Sequence, residues 1–368
     1  MVWLSGVRRV GKTVLCRQLD KVEYFNCDLP SVQRQLSDPE FFFRRLRPGA
    51  RIVLDEVHRL PDPSLALKIA ADEFPQLYVL ATGSSTLAAT RKFRDSLSGR
   101  KHLVHLLPVL WRETHAFDIP DLDRRLLHGG FPEMLMSATP SPVFFEEWLD
   151  SFYARDIQEL FGVRNRSAFL NLLKLLLLRS SGQLDISDLA KEIGISRPTV
   201  MSHLDALEIA HAILRVPPYH GGGQREIISR PKLFGFDTGL IAHVRGWSAL
   251  RDTDRGHLWE HLVLDELRSL YPAGRIRYWR DKSGREIDFV IDHGSRGVDT
   301  LEAKLNPAQY KMGNLKAFRS LYPAGRDFLV SPYVEKPYSI RQDSRQLTVC
   351  GVSAFALEKT PVSETEGV

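Results

Sequence analysis

The eight residues Gly6-Val7-Arg8-Arg9-Val10-Gly11-Lys12-Thr13 constrain the fold of this chain more than any other feature of its sequence. In the spacing G-x-x-x-x-G-K-T, the glycines let the backbone curl so that successive N–H groups point inward at a phosphate. The apolar run Val2-Trp3-Leu4 predicts a buried strand before this loop. Val14, Leu15 and Leu19 predict a helix with a buried face after it, whose positive end is expected to face the same anion. The segment therefore predicts a P-loop in a parallel α/β sheet.

The loop predicts a nucleotide site in which the backbone does much of the binding. The expected ATP-binding residues are Gly6, Val7, Arg8, Arg9, Val10, Gly11, Lys12, Thr13 and Val14. Lys12 is expected to reach the β- and γ-phosphates, and the Thr13 hydroxyl to hold Mg²⁺. The motif thus predicts ATP and Mg²⁺ as cofactors.

A second apolar run, Ile52-Val53-Leu54, ends in the two acids Asp55 and Glu56. Beside a P-loop, such a strand is typical of a hydrolytic site. Asp55 is expected to hold Mg²⁺ through water, and Glu56 to polarise the water that attacks the γ-phosphate. The alternative is a surface turn after a buried strand. With Lys12, these acids predict an ATPase.

A third predicted strand, Leu77–Ala81, leads into the small residues Thr82-Gly83-Ser84-Ser85. Their hydroxyls fit a sensor of the γ-phosphate, but also ordinary turn chemistry. A basic stretch follows, comprising Arg91, Lys92, Arg94 and Arg100. Arg100 is either an arginine finger that acts on a neighbouring subunit's nucleotide or part of a solvated basic face.

Residues 184–207 predict a helix-turn-helix with its turn at Gly194. Ser196 is expected to cap the second helix, 197–207, and a glycine-rich turn near Gly222 to form a wing. The second helix is predicted to bury Val200, Leu204 and Leu207 and to expose Arg197, Thr199, Ser202, His203, Asp205 and Glu208. Arg197, Thr199 and the wing's Arg225 are candidates for phosphate contacts. DNA contact and simple packing between domains both remain open.

Four residues near the C-terminus have the residue types of a metal-dependent nuclease. Asp288 lies in an alternating strand, and Glu302 and Lys304 share one face of the next. If the two strands pair as a hairpin, two carboxylates meet beside a lysine, and oxygen donors of this kind suit Mg²⁺. The order resembles the PD-(D/E)xK nuclease fold, with Glu260 in the place of that fold's additional helix acid. An active nuclease, an inactive nucleic-acid-binding relic and plain ion pairs on a strand face all remain open.

Several motifs together resemble a known group. The P-loop, Leu-Asp-Glu-Val-His-Arg-Leu-Pro (54–61), Thr-Gly-Ser-Ser (82–85) and Leu-Ser-Gly-Arg (97–100) resemble prokaryotic AAA-superfamily ATPases of the archaeal-ATPase-like group. Gly129–Glu133, Arg155-Asp156-Ile157 and Pro231–Gly239 resemble the uncharacterised C-terminal domain that accompanies this ATPase. The resemblance implies an AAA-like core, a winged helix and a restriction-endonuclease-like terminal fold. Related chains usually carry a lead-in segment before the first strand, which here begins at Met1, so the resemblance also implies either a different start or weakened nucleotide affinity.

The chain is too long, at 368 residues, for one ordinary core. The predicted fold is an α/β P-loop NTPase (AAA-like) parallel sheet with a helical lid, followed by a winged helix-turn-helix and an α/β restriction-endonuclease-like domain. The predicted domains are an ATPase core (1–118), a helical lid (119–165), the winged helix-turn-helix (166–245), a nuclease-like domain (246–357) and a disordered tail (358–368).

Composition excludes few functions. The content of 43% apolar and 26% charged residues is that of a soluble globular protein, and a net charge of +5 permits nucleic acid without demanding it. Cys16, Cys27 and Cys350 lack metal-site spacing and fit a reducing cytoplasm. The apolar run Leu170–Leu178 is too short to span a bilayer. ATP is the expected partner, while DNA, a protein partner and self-association are open.

The sequence supports three functions. The first is an Mg²⁺-dependent ATPase whose nucleotide state controls a C-terminal module that binds DNA or protein. The second is a metal-dependent nuclease that ATP regulates. The third is a nucleotide switch that binds ATP without turnover.

Overall fold

The computed structural model describes residues 1–83, 97, 99–221, 230–342 and 345–354. The chain divides into two compact units. The first unit comprises residues 1–108, 142–170 and 201–212, and the second comprises 109–141, 171–200 and 213 onward. These units do not follow chain order as the predicted domains do, and the predicted boundaries stay a prediction. The expected disordered tail, 358–368, lies outside the described residues.

The described helices are short, apart from one of 19 residues. In chain order they are α1 (Lys12–Arg17), α2 (Pro30–Gln35), α3 (Pro39–Arg44), α4 (Pro63–Glu73), α5 (Leu122–His128), α6 (Pro132–Met136), α7 (Pro142–Phe152), α8 (Glu159–Phe161), α9 (Arg166–Leu178), α10 (Ile186–Ile193), α11 (Arg197–Ile209), α12 (Thr238–Arg245), α13 (Asp252–Leu270) and α14 (Gly313–Leu321). A π-helical segment, Tyr153–Gln158, joins α7 to α8. Within the described residues, no helix combines the length and apolar character needed to cross a membrane.

The first unit is built on a parallel sheet of five strands in the order β2-β3-β4-β1-β5. These strands are β1 (Val2–Ser5), β2 (Glu23–Asn26), β3 (Arg51–Asp55), β4 (Tyr78–Thr82) and β5 (His102–His105). The predicted strands β1, β3 and β4 are confirmed, and they occupy the three central positions. The edge strands β2 and β5 were not predicted, because neither is buried enough to carry a strong apolar pattern.

Parallel pairing brings the carboxyl ends of all five strands to one edge of the sheet, where ligands of open α/β sheets bind. The P-loop follows β1 at this edge, Asp55 ends β3, and Thr82 ends β4. Because β4 lies between β1 and β3, Thr82 stands between the P-loop and the two acids of the site.

One predicted helix face is wrong. Val14, Leu15 and Leu19 were expected to be buried, but their side chains are 60%, 40% and 40% exposed. The helix α1 has only six residues, and the one that it buries is Cys16, which packs with Leu4 and Val53. The contact with the sheet therefore uses a smaller face of α1 than the apolar residues suggest.

The second unit contains a mixed sheet of six strands in the order β12-β13-β11-β10-β9-β8. These strands are β8 (Ile276–Arg280), β9 (Glu286–Asp292), β10 (Val298–Ala303), β11 (Asp327–Val330), β12 (Tyr338–Gln342) and β13 (Arg345–Cys350). Strands β9 and β10 pair antiparallel, with Leu301 opposite Phe289, which meets the condition stated for the nuclease-like residues. The chain is thus an α/β protein with a parallel sheet followed by a mixed one.

The predicted pair of helices around Gly194 is present as α10 and α11. Gly194 adopts the left-handed conformation (φ 75°) that ends α10, and Ser196 Oγ accepts a hydrogen bond from Thr199 N (3.2 Å). Strands β6 (Ile213–Val216) and β7 (Lys232–Gly235), which flank the predicted wing in the sequence, pair antiparallel. The predicted wing residues Gly222 and Arg225 lie outside the described residues.

Candidate functional site: the P-loop and its acids

The P-loop backbone depends on glycine at both of its ends. Gly6 has φ 153°, and a Cβ there would stand 2.5 Å from Leu106 O; Gly11 has φ 105°. Lys12 turns back on the loop, where its Nζ donates to Gly6 O (2.8 Å) and Val7 O (3.0 Å). Burial lowers the pKa of Lys12, while the charges of Glu56 and Asp156 act against that shift. The lysine therefore has neutral partners, which an anion can replace.

Asp55 is buried and accepts hydrogen bonds from three hydroxyl groups. Thr13 Oγ1 donates to Asp55 Oδ2 (2.9 Å), Tyr24 OH donates to the same oxygen (2.5 Å), and Thr82 Oγ1 donates to Oδ1. Burial and the bond to Asp55 raise the pKa of Tyr24 to about 12, so the phenol stays a donor. The hydroxyl of Thr13 and the carboxylate of Asp55 are hard oxygen donors in direct contact, a donor pair that fits Mg²⁺.

Glu56 stands in a left-handed backbone conformation (φ 58°), and its N–H donates to Thr82 Oγ1 (3.0 Å). Burial alone would raise the pKa of Glu56, but His58 Nδ1, 3.1 Å from its carboxylate, and the charges of Lys12 and Arg8 hold that pKa below its usual value. Glu56 is therefore ionised at neutral pH, as a residue that accepts a proton from water must be.

The two arginines of the P-loop point to different partners on α7 and the segment after it. Arg8 Nε donates to Asp156 Oδ2 (3.0 Å) in the π-helical segment. The Arg9 guanidinium contacts Glu147 (3.3 Å) and lies 5.0 Å from the Phe144 ring centroid. The loop is thereby fixed to a helix that follows it by more than a hundred residues. Sequence reasoning missed Asp156 as a site residue, although the motif Arg155-Asp156-Ile157 contains it.

Arg100 forms an ion pair with Asp72 of α4 in its own chain. Its side chain is about a third exposed. A role as an arginine finger for a neighbouring subunit stays a prediction. Its predicted companions Ser84, Ser85, Arg91, Lys92 and Arg94 lie outside the described residues.

The four predicted nuclease-like residues line one cleft of about 1270 Å³ in the second unit. Lys304 Nζ lies 2.7 Å from Asp288 Oδ2 and 3.1 Å from Glu302 Oε2. Ala303 N also donates to Asp288 (2.9 Å), and Glu260 extends from α13 into the same cleft. The hairpin thus brings the acids and the lysine together as expected.

Two charged residues next to the predicted acids were missed, Glu286 and Lys232. Glu286 lines the cleft. Lys232 is buried in β7 and pairs with Glu286, and its Nζ lies 3.9 Å from Glu260 Oε2. Lys232 sits in an apolar run, Pro231-Lys232-Leu233-Phe234, which reads as a strand with one outward lysine. A lysine inside an otherwise buried strand was the signal that could have found it.

Burial governs the charge state of the cleft. Burial and the neighbouring Asp288 raise the pKa of Glu260 to about 8, and the same two causes raise the pKa of Glu302. Burial would raise the pKa of Asp288 too, but Lys304 and Lys232 hold it below its usual value. The four carboxylates of Glu260, Glu286, Asp288 and Glu302 outnumber the three cations that pair with them, Lys232, Lys304 and Arg280, so the cleft keeps a proton or needs another cation.

The cleft has the oxygen donors that Mg²⁺ prefers, but they are not gathered around one point. Across the described parts of the chain, no group of three or more His, Cys, Asp and Glu side chains is placed to hold a metal ion. The Lys304 ammonium instead lies against Asp288 and Glu302. The residues therefore fit a metal in their chemistry and not in this arrangement.

The exposed face of α11 is less basic than predicted. Arg197 and Ser202 are exposed as expected, and Val200, Leu204 and Leu207 are buried as expected. His203 was expected on the surface, but only 6% of it is exposed, and its ring packs against Phe169 (5.1 Å between centroids). Burial lowers the pKa of His203, so this residue offers no cation to a phosphate.

Two motifs behind the family resemblance form a buried structural contact. Asp237 accepts from Gly130 N (2.7 Å), and a Cβ on Gly129 would stand 2.3 Å from its Oδ1. Arg125 donates to Val109 O (2.9 Å) and to Thr238 Oγ1 (3.1 Å). These residues tie the end of α5 to the start of α12, so their part in the motifs is explained by packing.

Comparisons with known proteins agree with the N-terminal assignment. Residues 1–115 match a family model described as an AAA domain. Residues 119–251 match a domain of unknown function (DUF8612), and residues 255–352 match another (DUF4143). The AAA-like character of the first residues is confirmed, and an AAA domain generally binds ATP with Mg²⁺. The winged helix and the nuclease-like fold stay predictions.

Similar proteins do not add an activity. The uncharacterized protein Rv2008c of Mycobacterium tuberculosis is 28% identical over 309 residues, which are 80% of this chain and 68% of that protein. The uncharacterized protein MJ1544 of Methanocaldococcus jannaschii is 23% identical over 331 residues, 78% of this chain and 71% of that protein. Among solved structures, the Walker-type ATPase PABY2304 of Pyrococcus abyssi is 17% identical and covers 66% of this chain and 90% of its own, with a TM-score of 0.41. Cdc6p of Pyrobaculum aerophilum is 13% identical, covers 67% and 86%, and has a TM-score of 0.26. Both TM-scores are too low to support a functional assignment.

Proposed function

We propose that the first unit binds ATP with Mg²⁺ and hydrolyses it to ADP and phosphate. The observation that carries this proposal is the contact of Thr13 with Asp55 beside a P-loop lysine whose present partners are two backbone carbonyls. Mg²⁺ held at Thr13 and Asp55 would neutralise phosphate charge. Lys12 would then exchange its carbonyl partners for phosphate oxygens.

Glu56 is the proposed acceptor of the proton from the attacking water. It is ionised at neutral pH, and Thr82 fixes its backbone next to Asp55. Thr82 is the described member of the predicted γ-phosphate sensor, and its hydroxyl joins both acids. A change in the position of either acid would therefore move the Thr82 hydroxyl at the end of β4.

The test compares wild type with Lys12→Ala in an ATP-binding and ATP-hydrolysis assay with Mg²⁺. Removal of the ammonium is expected to weaken MgATP binding by at least about a hundredfold, since it deletes the charge that pairs with the phosphates. Lys21→Ala, which changes an exposed lysine in the turn before β2, is the control and should bind as wild type does. Hydrolysis by Lys12→Ala at the wild-type rate would remove the P-loop from the mechanism.

The nucleotide state is proposed to control a C-terminal module that contacts DNA or protein. The supporting observations are the capped helix pair α10–α11 and the β6–β7 pair. Hydrolysis measured with and without duplex DNA tests this step. Tight ATP binding with negligible turnover under both conditions would instead favour a non-catalytic switch.

A metal-dependent nuclease is the second candidate, because Asp288, Glu302 and Lys304 meet in a cleft large enough for a substrate. Incubation of DNA with Mg²⁺ or Mn²⁺ tests it. Cleavage that disappears in both Asp288→Ala and Lys304→Ala would support a nuclease. Cleavage that survives in these variants would come from elsewhere, and an absence of cleavage would leave a binding cleft or a structural ion cluster.

A further inference from the structure

Arg8 is one of two arginines in the P-loop, and a buried side chain holds its backbone carbonyl in place. Trp148 Nε1 donates to Arg8 O (3.1 Å), and Trp148 is completely buried in α7. A buried indole therefore sets the position of this one peptide in the loop. The neighbouring Arg9 points instead to exposed Glu147, so the two arginines have separate environments.

The Arg8 guanidinium lies among the charges of the nucleotide site. It pairs with Asp156, whose side chain is 10% exposed, at 3.0 Å. Its charge lowers the pKa of Glu56 and of Lys12, the proposed proton acceptor and the phosphate-binding lysine. Arg8 therefore acts on both groups from within the loop that contains Lys12.

Asp156 occupies only part of the hydrogen-bonding capacity of Arg8. The recorded bond uses Nε, and in the described part of the chain no bond from either terminal nitrogen of Arg8 is seen. A guanidinium carries five N–H donors, and its terminal pair matches two phosphate oxygens. Arg100, the arginine that the sequence suggested for this role, is instead held by Asp72.

Resting on the proposed ATPase function, we propose that Arg8 contacts the γ-phosphate oxygens during hydrolysis and that Asp156 holds Arg8 in the nucleotide-free protein. In the step concerned, the water oxygen bonds to the γ-phosphorus, the bond from that phosphorus to the β–γ bridging oxygen breaks, and the water proton passes to Glu56. ADP and phosphate result. Arg8 stabilises the charge on the transferring group, as an arginine finger does when it is supplied within the same chain.

Asp156 is then a positioning residue that competes with phosphate for Arg8. It lies in the π-helical segment Tyr153–Gln158. Such segments are rare in proteins, and those that occur are often found at functional sites. Asp156 also acts electrostatically on Lys12. A bound triphosphate would compete with Asp156 for the charges of both Arg8 and Lys12. Nucleotide binding would thus weaken the link between the P-loop and this segment.

The experiment measures MgADP affinity, binding of ADP with aluminium fluoride, and single-turnover hydrolysis for Arg8→Ala and Arg8→Lys. Arg8→Ala should keep MgADP affinity within about threefold, lose the aluminium fluoride complex, and hydrolyse ATP about a thousandfold more slowly. Arg8→Lys keeps a charge but no fork, and should be at least about tenfold slower. Arg44→Ala, which removes an exposed arginine paired with Glu40 in α3, is the matched control and should hydrolyse as wild type does.

A hydrolysis rate in Arg8→Ala within tenfold of wild type would overturn the proposal, as would an equal loss of ADP and aluminium fluoride binding. If Arg8→Ala does not fold, Arg8→Lys decides by the same criteria. A wild-type protein that neither binds nor hydrolyses ATP would overturn the proposed ATPase function. A wild-type protein and an Arg8→Ala variant that are both active would overturn only the role of Arg8.

Asp156→Asn tests the holding role, since a purely structural loss would weaken binding. On a Glu56→Gln background that slows turnover, release of Arg8 should tighten MgATP binding by about threefold or more. Weaker MgATP binding in Asp156→Asn would contradict competition between Asp156 and phosphate.

Discussion

The P-loop site of the first unit and the acidic cleft of the second unit both place lysines among carboxylates, but the lysines have different partners. Lys12 bonds two neutral carbonyl oxygens of its own loop. Lys232 and Lys304 are paired with carboxylates that line the cleft. An incoming phosphate is a stronger partner for an ammonium group than a carbonyl is, whereas a buried carboxylate is already a charged partner.

The comparison shows that residue types alone do not tell a ligand site from an internal ion cluster. The first region was predicted from a glycine-rich loop with Lys12 and two acids, and the second from three acids with Lys304, and the residues of each come together in the structure. In the P-loop site the cation can exchange partners, and the Thr13–Asp55 pair offers oxygen donors to a metal. In the cleft, Lys304 contacts the two acids that a metal would need. The P-loop site therefore offers a cation to a charged ligand, while the lysines of the cleft are already paired with its carboxylates.

The largest effect that tests this comparison is expected at Glu56, the acid of the P-loop site that is proposed to accept a proton. Glu56→Gln should keep MgATP affinity within about threefold and slow single-turnover hydrolysis by about 10²- to 10⁴-fold, since it removes the proton acceptor and little else. His58 would lose its charged partner, so a melting curve is the control for folding. Unchanged hydrolysis would assign the proton to another group.

A lysine of the cleft should behave in the opposite way, with a large effect on stability. Lys232 is 4% exposed, and Lys232→Met would leave Glu286 and Glu260 without their buried cation. The expected loss in the free energy of unfolding is about 3–5 kcal/mol, measured by denaturant titration. ATP binding in the first unit should be unchanged. Lys282→Met, an exposed lysine before β9, is the control and should unfold as wild type does.

Equal stability of Lys232→Met and wild type would break the comparison. The fold would then not depend on the Lys232 ammonium, and the cleft would resemble the P-loop site in having a lysine whose partners can be exchanged.

The sequence predicted the parts of the fold and of the site that depend on local patterns. The P-loop, β3 with its two acids and the β9–β10 hairpin are encoded within a few residues each, and spacing alone locates them. Tyr24 was missed because edge strand β2 is only half buried and has no clear period. Asp156 and Lys232 were missed because each reaches its site from a distant part of the chain. The apolar run around Lys232 marks that lysine as unusual, but it does not identify the acids that pair with it.

The pH dependence of stability gives a smaller effect that also separates the two regions. Burial and Asp288 raise the pKa of Glu260 from 4.5 to about 8, so the folded protein holds a proton that the unfolded chain releases. This contribution to stability is complete below about pH 4.5 and is lost as the pH rises to about 8, with a slope of at most about 1.4 kcal/mol per pH unit. Glu260→Gln cannot ionise, so its melting temperature should fall less between pH 5 and pH 8 than that of wild type. Glu40→Gln, at an exposed position in the first unit, should keep the wild-type pH dependence. If Glu260→Gln and wild type lose stability equally over this range, Glu260 does not hold this proton in the folded protein.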